Sequence, residues 1–342
     1  MENSSLTNNT LRVKESNSNL ILDTLKEFRV ATRTELARET GLSIATCGNI
    51  LKELVSSGEI IEGDLENLSG GRPARQYIYN ENFSLVIAMT LHADSDVKTL
   101  RYAVTNLYGE IIEEQVQAYE HIHFDTIDRL VGNLMKTHEN IKAIGIGIPG
   151  FIENDGTIGI NDIEELNGVK LAELLERNHD INVAIDRSPA ISAYGYYKTH
   201  PECQGNTLAT IVAPLDHPVG AGFIINGRIY KGHFNNEGEI HYIYNNFLHP
   251  DIAKNENADI VNETVFSVAA IISTINPASI VFMGESFTRD VYDEIRADCR
   301  KIFPESFIPD FIFQKNYSED YLNGTIQMAI DCLRPKVKLI SN

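Results

Sequence analysis

Arg33-Thr-Glu-Leu-Ala-Arg-Glu-Thr-Gly-Leu-Ser-Ile-Ala-Thr-Cys-Gly-Asn-Ile-Leu-Lys-Glu-Leu54 reads as two short helices joined by a tight turn. Thr32 is placed to cap the first helix, and Glu35, three residues on, completes a capping box. Leu36 and Ala37 form its apolar face. Gly41 supplies the left-handed residue that ends it. Ser43 caps the second helix, and Leu42 is spaced to pack on Cys47. Cys47, Ile50, Leu51 and Leu54 then recur at i, i+3, i+4 and i+7, one buried stripe. The outward face is left with Ile44, Ala45, Gly48, Asn49 and Lys52. A short helix, a glycine turn and a second helix with small and polar residues outward is the pattern of a DNA-reading helix-turn-helix. Leu20, Ile21, Leu25 and Phe28 mark a preceding helix over 19–28.

The following residues fit a wing. Glu59-Ile60-Ile61-Glu62 and Gln76-Tyr77-Ile78-Tyr79 read as strands around a polar loop. Between them lies Gly70-Gly71-Arg72-Pro73-Ala74-Arg75. Glycines permit close backbone approach, and Arg72 and Arg75 project cations that suit a narrow minor groove. The same residues also read as an interdomain linker with solvated arginines. Residues 1–10, rich in Ser, Asn and Thr, are expected to be disordered.

Charge divides the chain. It carries a net −19 over 342 residues, but residues 1–80 hold nine Lys and Arg against eleven Asp and Glu. The remaining 262 residues therefore carry −17, and phosphate contacts are expected only from the first part. Its cations must act locally, so binding is expected to need a dimer on a palindromic double-stranded operator. Four cysteines with no paired spacing argue for reduced thiols and against a zinc cluster. No apolar run has membrane-spanning length and no signal peptide is evident, so a cytoplasmic protein without membrane contact is expected.

From about Phe83 strands alternate with helices, an α/β pattern in two lobes. Gly145-Ile-Gly-Ile-Pro-Gly150 matches the dinucleotide fingerprint formally, but it is itself a strand and opens no helix. It reads instead as a glycine-rich strand packed against another backbone.

Together these motifs resemble the ROK family of repressors, open reading frames and kinases, in its xylose-repressor and N-acetylglucosamine-repressor type. The resemblance rests on Leu36 to Thr46, Gly-Gly-Arg-Pro-Ala at 70–74 and the glycine strand at 145–150. It extends to Gly220, Gly222 and Gly227, to Gly238-Glu239-Ile240, and to Asn276-Pro277 through Gly284. It implies an α/β fold with an N-terminal winged helix-turn-helix and a two-lobed domain of the sugar kinase and actin-like ATPase type. The division expected is 1–10 tail, 11–80 DNA-binding domain with its Gly-Gly-Arg-Pro linker, 81–195 first lobe with a helix at 321–335, and 196–320 second lobe.

The kinase motifs are broken. Where kinases of the family carry Asp-x-Gly-Gly-Thr, this chain has Leu91-His-Ala-Asp-Ser-Asp96, without the glycines whose amides would hold phosphates. Asp216 and Pro218 spoil the second phosphate loop. Asp186 matches the kinase base, but its Asn partner is Ile185. Glu239 matches a sugar-binding Glu, while the zinc-binding and sugar-contacting His falls on Tyr242. His241 could serve only with a one-residue shift. Asp186 reads equally as a helix cap. The cysteine motif is missing. No metal, cofactor or catalytic residue is therefore expected, and Asp186, Glu239, His241 and Tyr242 form at most a degenerate ligand site.

The reading is a transcriptional repressor of carbohydrate-related genes, a homodimer or dimer of dimers. Its ROK domain serves as sensor and dimerisation platform, with weak or no binding of simple sugars. Contacts to DNA are expected from Arg33, Thr34, Ser43, Ile44, Ala45, Thr46, Gly48, Asn49, Lys52, Arg72 and Arg75. The alternatives are a carbohydrate kinase with a DNA-binding head and a regulator that answers to a protein partner.

Overall fold

The computed structural model describes residues 3–66, 74–94, 97–214, 219–244, 260–314 and 316–333. The chain forms two compact units, which divide at Ser84 and Leu85 rather than at 80.

The first unit contains α1 (Asn3–Phe28), β1 (Val30–Thr32), α2 (Arg33–Thr40), α3 (Ile44–Ser57), β2 (Ile60–Glu66) and β3 (Ala74–Tyr79). The strands form an antiparallel sheet in the order β1-β3-β2. Ile21, Leu25, Leu36, Cys47, Ile50, Leu51, Leu54 and Ile60 make one apolar core. Two expectations for α1 change. It begins at Asn3, within the segment expected to be disordered, because adding a residue to a helix already nucleated is cheap. Leu20 and Phe28 are exposed, and Leu22 packs on the core instead. Leu20 lies about 100° around the helix from Ile21, and Phe28 is the helix's last residue. The wing strands are longer than expected, and Arg75 lies within β3. The Gly-Gly-Arg-Pro residues at 70–73 fall outside the described residues. The strands on either side, β2 and β3, pair with each other.

The second unit holds two five-stranded sheets. The first uses β4 (Leu85–Asp94), β5 (Val97–Thr105), β6 (Ile111–Tyr119), β7 (Ile141–Ile148) and β8 (Asn182–Arg187), in the order β6-β5-β4-β7-β8. Ile87, Met89, Ile144 and Ile146 alternate onto one face. There they meet Ile127 and Val131 of α4 (Phe124–Thr137) and Leu171 and Leu175 of α5 (Leu171–His179). Val86, Ala88 and Ala143 point the other way, onto α10 (Ser318–Cys332).

The glycine-rich segment is the strand β7. A Cβ at Gly145 would strike the Thr325 carbonyl of α10, and one at Gly147 would strike the Tyr321 ring. Close packing on another backbone accounts for both glycines, and no dinucleotide motif is formed.

The second sheet runs β11-β10-β9-β12-β13. Its strands are β9 (Leu208–Val212), β10 (Gly220–Ile225), β11 (Arg228–Ile229), β12 (Ser279–Met283) and β13 (Asp310–Gln314). One face is covered by α8 (Ile260–Thr274) and α9 (Arg289–Ile302). The other is covered by α6 (Ser188–Thr199), whose Ile191 packs with Leu208, Val212 and Ile224. The lobe boundary expected between 195 and 196 cuts through α6, whose apolar face belongs to the second sheet. It crosses α10 backbone to backbone at Gly195 and Gly324. A one-turn helix, α7 (His241–Ile243), follows β11.

Candidate functional site

Two regions gather the residues singled out by sequence. In the first, local backbone chemistry sets the geometry. The Thr32 amide donates to Glu35 Oε2 at 2.7 Å, and the Glu35 amide donates to Thr32 Oγ1 at 3.3 Å, closing the capping box. The hydrogen bond from the Thr32 backbone holds the Glu35 carboxyl below its ordinary pKa. Gly41 ends α2 at φ 69°. Ser43 Oγ accepts the Thr46 amide at 3.0 Å and lies 2.8 Å from the Thr46 hydroxyl, so these two side chains cap α3.

Cys47, Ile50, Leu51 and Leu54 are buried as the spacing requires. Ile44, Ala45, Asn49 and Lys52 are exposed on α3, and Arg33 and Thr34 are exposed at the start of α2. The Arg33 guanidinium lies across Gly48. Arg72 falls outside the described residues. Arg75 is not a projecting cation: it is ion-paired with Glu62 on the neighbouring strand.

The second region is a cleft of about 970 Å³ in the second unit, lined among others by His92, Phe151, Ser188, Glu239, His241 and Tyr242. Asp186 is the next-to-last residue of β8 and is buried. Its Oδ1 accepts the Arg187 amide at 2.9 Å, and its Oδ2 lies 2.7 Å from Lys231 Nζ. Asp186 does not cap α6, whose N-cap is Arg187 without a side-chain hydrogen bond. Ile185 faces away from the cleft onto the first sheet's core, as strand alternation dictates.

Arg187 is only 2% exposed. Its guanidinium donates to Glu239 Oε1 through Nη1, and through Nη2 to the Glu237 carbonyl at 2.5 Å and Glu237 Oε1 at 2.7 Å. Gly238, at φ 83°, lets this turn lie against β10, where the Ala221 amide donates to its carbonyl at 3.1 Å. Burial pushes the Glu237 carboxyl up, against the pull of Arg187. Burial also lowers the His241 imidazole, whose Nδ1 is 3.3 Å from Glu239 Oε2. Tyr242 is 62% exposed at the cleft.

Sequence reasoning named Asp186 and Glu239 but missed Arg187, Lys231 and Glu237. A cation directly after Asp186 and a Glu-Gly-Glu run were visible signals, but their pairing across 50 residues was not.

At the place of the first phosphate loop, β4 and β5 pair out to Asp94 and Val97. His92 stands edge-on to Tyr321, with ring centroids 5.1 Å apart. Residues 215–218, at the second phosphate loop, lie outside the described residues. Among the described residues no group of three His, Cys, Asp or Glu side chains is placed to hold a metal.

This architecture, two lobes around a cleft, is that of sugar-kinase-like domains, and residues 94–252 match the ROK family. This matched stretch is just under half of the chain. It is 27% identical to the xylose repressor of Caldicellulosiruptor bescii, over 70% of this chain and 61% of that protein. It is 25% identical to the DNA-binding transcriptional dual regulator NagC of Escherichia coli, over 68% of this chain and 58% of that protein. The chain thus spans about three-fifths of the length of these two relatives.

A solved ROK family transcriptional regulator, a homologue of the Escherichia coli MLC protein, superposes with a TM-score of 0.69 at 18% identity. It covers 94% of this chain and 98% of its own. The ROK hexokinase of Thermus thermophilus superposes with a TM-score of 0.56 at 12% identity, over 72% of this chain and 97% of its own. At such identities these two superpositions establish the fold alone.

Proposed function

We propose that this chain is a sequence-specific DNA-binding transcriptional repressor of carbohydrate-related genes. The observation that carries this reading is the capped α2–α3 pair, with its Cys47 to Leu54 stripe buried and a small, polar outer face presented. In this reading the first unit is a winged helix-turn-helix, α3 enters the major groove, and the β2–β3 hairpin is the wing. Asn49 pairs with adenine and Lys52 with guanine or phosphate. Relatives named as repressors support it.

The ROK domain acts as sensor and dimerisation platform without catalysis. Both carboxylates of the sugar site face internal cations, Asp186 with Lys231 and Glu239 with Arg187. A neutral sugar must compete with them for those oxygens, so simple hexoses bind weakly. The protein acts in the cytoplasm as a homodimer or dimer of dimers on a palindromic operator. In keeping with this, no described helix is long and apolar enough to cross a membrane.

Selection from a randomised duplex pool tests the reading. Recovery of a two-fold symmetric motif is expected, and recovery of none overturns it. Hexose-stimulated ATP hydrolysis that disappears in Asp186→Asn would overturn the non-catalytic assignment.

A further inference from the structure

Gly48 sits mid-way along α3 with ordinary helical backbone, where glycine is worse than alanine. The glycines at 145, 195 and 324 are forced by neighbouring backbone, but Gly48 is not. A Cβ there would meet only Arg33, at 3.2 Å from Nη1 and 3.4 Å from Cδ. Those atoms are the outer part of a flexible side chain, so the fold itself does not require the glycine.

What the glycine provides is a trough across the outer face of α3, and the Arg33 guanidinium occupies it. Arg33 is the first residue of α2, and the Thr32–Glu35 capping box fixes the backbone beside it. Its guanidinium thus reaches the level of Gly48, flanked along α3 by exposed Ala45, Asn49 and Lys52.

Resting on the repressor reading, we propose that Arg33 reads a guanine in the major groove, delivered through the gap at Gly48. The reading surface is composite: α3 supplies Asn49 and Lys52, and α2 supplies the fork-shaped donor at the centre. A guanidinium can donate to guanine O6 and N7 together, which the point charge of lysine does less selectively.

Wild type, Arg33→Ala, Arg33→Lys, Gly48→Ala and the double variant Arg33→Ala/Gly48→Ala are each selected against a randomised duplex pool and melted. Wild type should enrich a motif containing a guanine whose replacement weakens binding roughly tenfold or more. Arg33→Ala and Arg33→Lys should lose the preference at that base pair alone. Gly48→Ala should melt a few degrees higher yet lose much of the same preference, and it should add nothing once Arg33 is alanine. Three results overturn the proposal: Arg33→Ala weakening all duplexes equally, Gly48→Ala keeping the full preference, or Gly48→Ala melting lower. If wild type enriches no motif, the repressor reading itself falls, and this inference with it.

Discussion

The outer face of α3 and the cleft of the second unit use the same residue types in opposite ways. Arg33 and Lys52 stand exposed on a helix pair whose geometry is fixed by short-range caps. Arg187, by contrast, is buried between Glu237 and Glu239, and Lys231 reaches Asp186. A charge held at a surface by local backbone geometry remains available to a ligand. A charge neutralised inside is part of the architecture, because an unpaired buried ion is too costly to leave. A cleft can thus hold carboxylates that are already engaged by the chain's own cations.

The largest test of this contrast is the removal of Arg187. Arg187→Met should lower stability by about 3–5 kcal/mol, because two carboxylates then lose their buried cation. The urea midpoint reports it. Glu237 already has a raised pKa, so the folded state binds more protons than the unfolded state above its ordinary value of 4.5. That group's contribution falls as pH rises through the folded pKa, and without Arg187 the fall should be steeper. The penalty should therefore be smaller near pH 4.5 than near pH 7. Adding Glu237→Gln and Glu239→Gln should recover part of the loss. A small penalty in Arg187→Met would mean that the network is solvated, and the contrast would fail.

Next is the crossing of α6 and α10. Gly195→Ala drives a Cβ into the Asp320 carbonyl of α10. Overpacking against backbone should cost about 1–3 kcal/mol or somewhat more, read from the thermal melt. This is opposite in sign to the effect expected at Gly48, and equal effects would erase the distinction between a forced glycine and a free one.

How legible each region was follows from the range of its interactions. The caps, the glycine turn and the buried stripe of α2–α3 are written within about twenty residues, and each lies where spacing put it. Strand alternation and the glycine strand β7 were equally local. The ionic network was not, because Arg187 meets residues 50 and 52 positions away in the chain. The expected lobe boundary at 195/196 cuts through α6 for the same reason. Its own sequence shows an apolar helix but not which sheet receives it. Arg75 looked like a free cation because Glu62 faces it only once β2 and β3 pair.

A smaller effect concerns acid stability in the first lobe. Glu165 is held down to about 2. Burial opposes its charge, but hydrogen bonds from Lys98, from its own backbone and from His121 outweigh that. Lys98 Nζ lies 2.7 Å from both carboxylate oxygens. A carboxylate with a depressed pKa stabilises the fold above its ordinary value of 4.5, and that contribution is lost as pH falls from there toward 2. Glu165→Gln should cost about 1–2 kcal/mol near neutral pH, after allowance for partial solvation, and little near pH 2. Urea titrations at the two pH values check this. A penalty independent of pH would assign the loss to packing.

The smallest effect on stability bears most directly on the β2–β3 hairpin. Glu62 and Arg75 are both about half-exposed, with side-chain exposures of 42% and 49%, so their ion pair should contribute only about 0–1 kcal/mol. Glu62→Gln should therefore leave the melting temperature almost unchanged. If the β2–β3 hairpin approaches DNA, releasing Arg75 adds a cation there and removes a repelling carboxylate. Binding to duplex DNA should then tighten. The dependence of log affinity on log salt should steepen by about one unit, the signature of one more phosphate contact. Arg75→Ala should weaken binding only slightly in the wild-type background, where Glu62 already holds the guanidinium, and more clearly in Glu62→Gln. Unchanged affinity and slope in Glu62→Gln would place Arg75 beside Arg187 as a cation engaged within the fold.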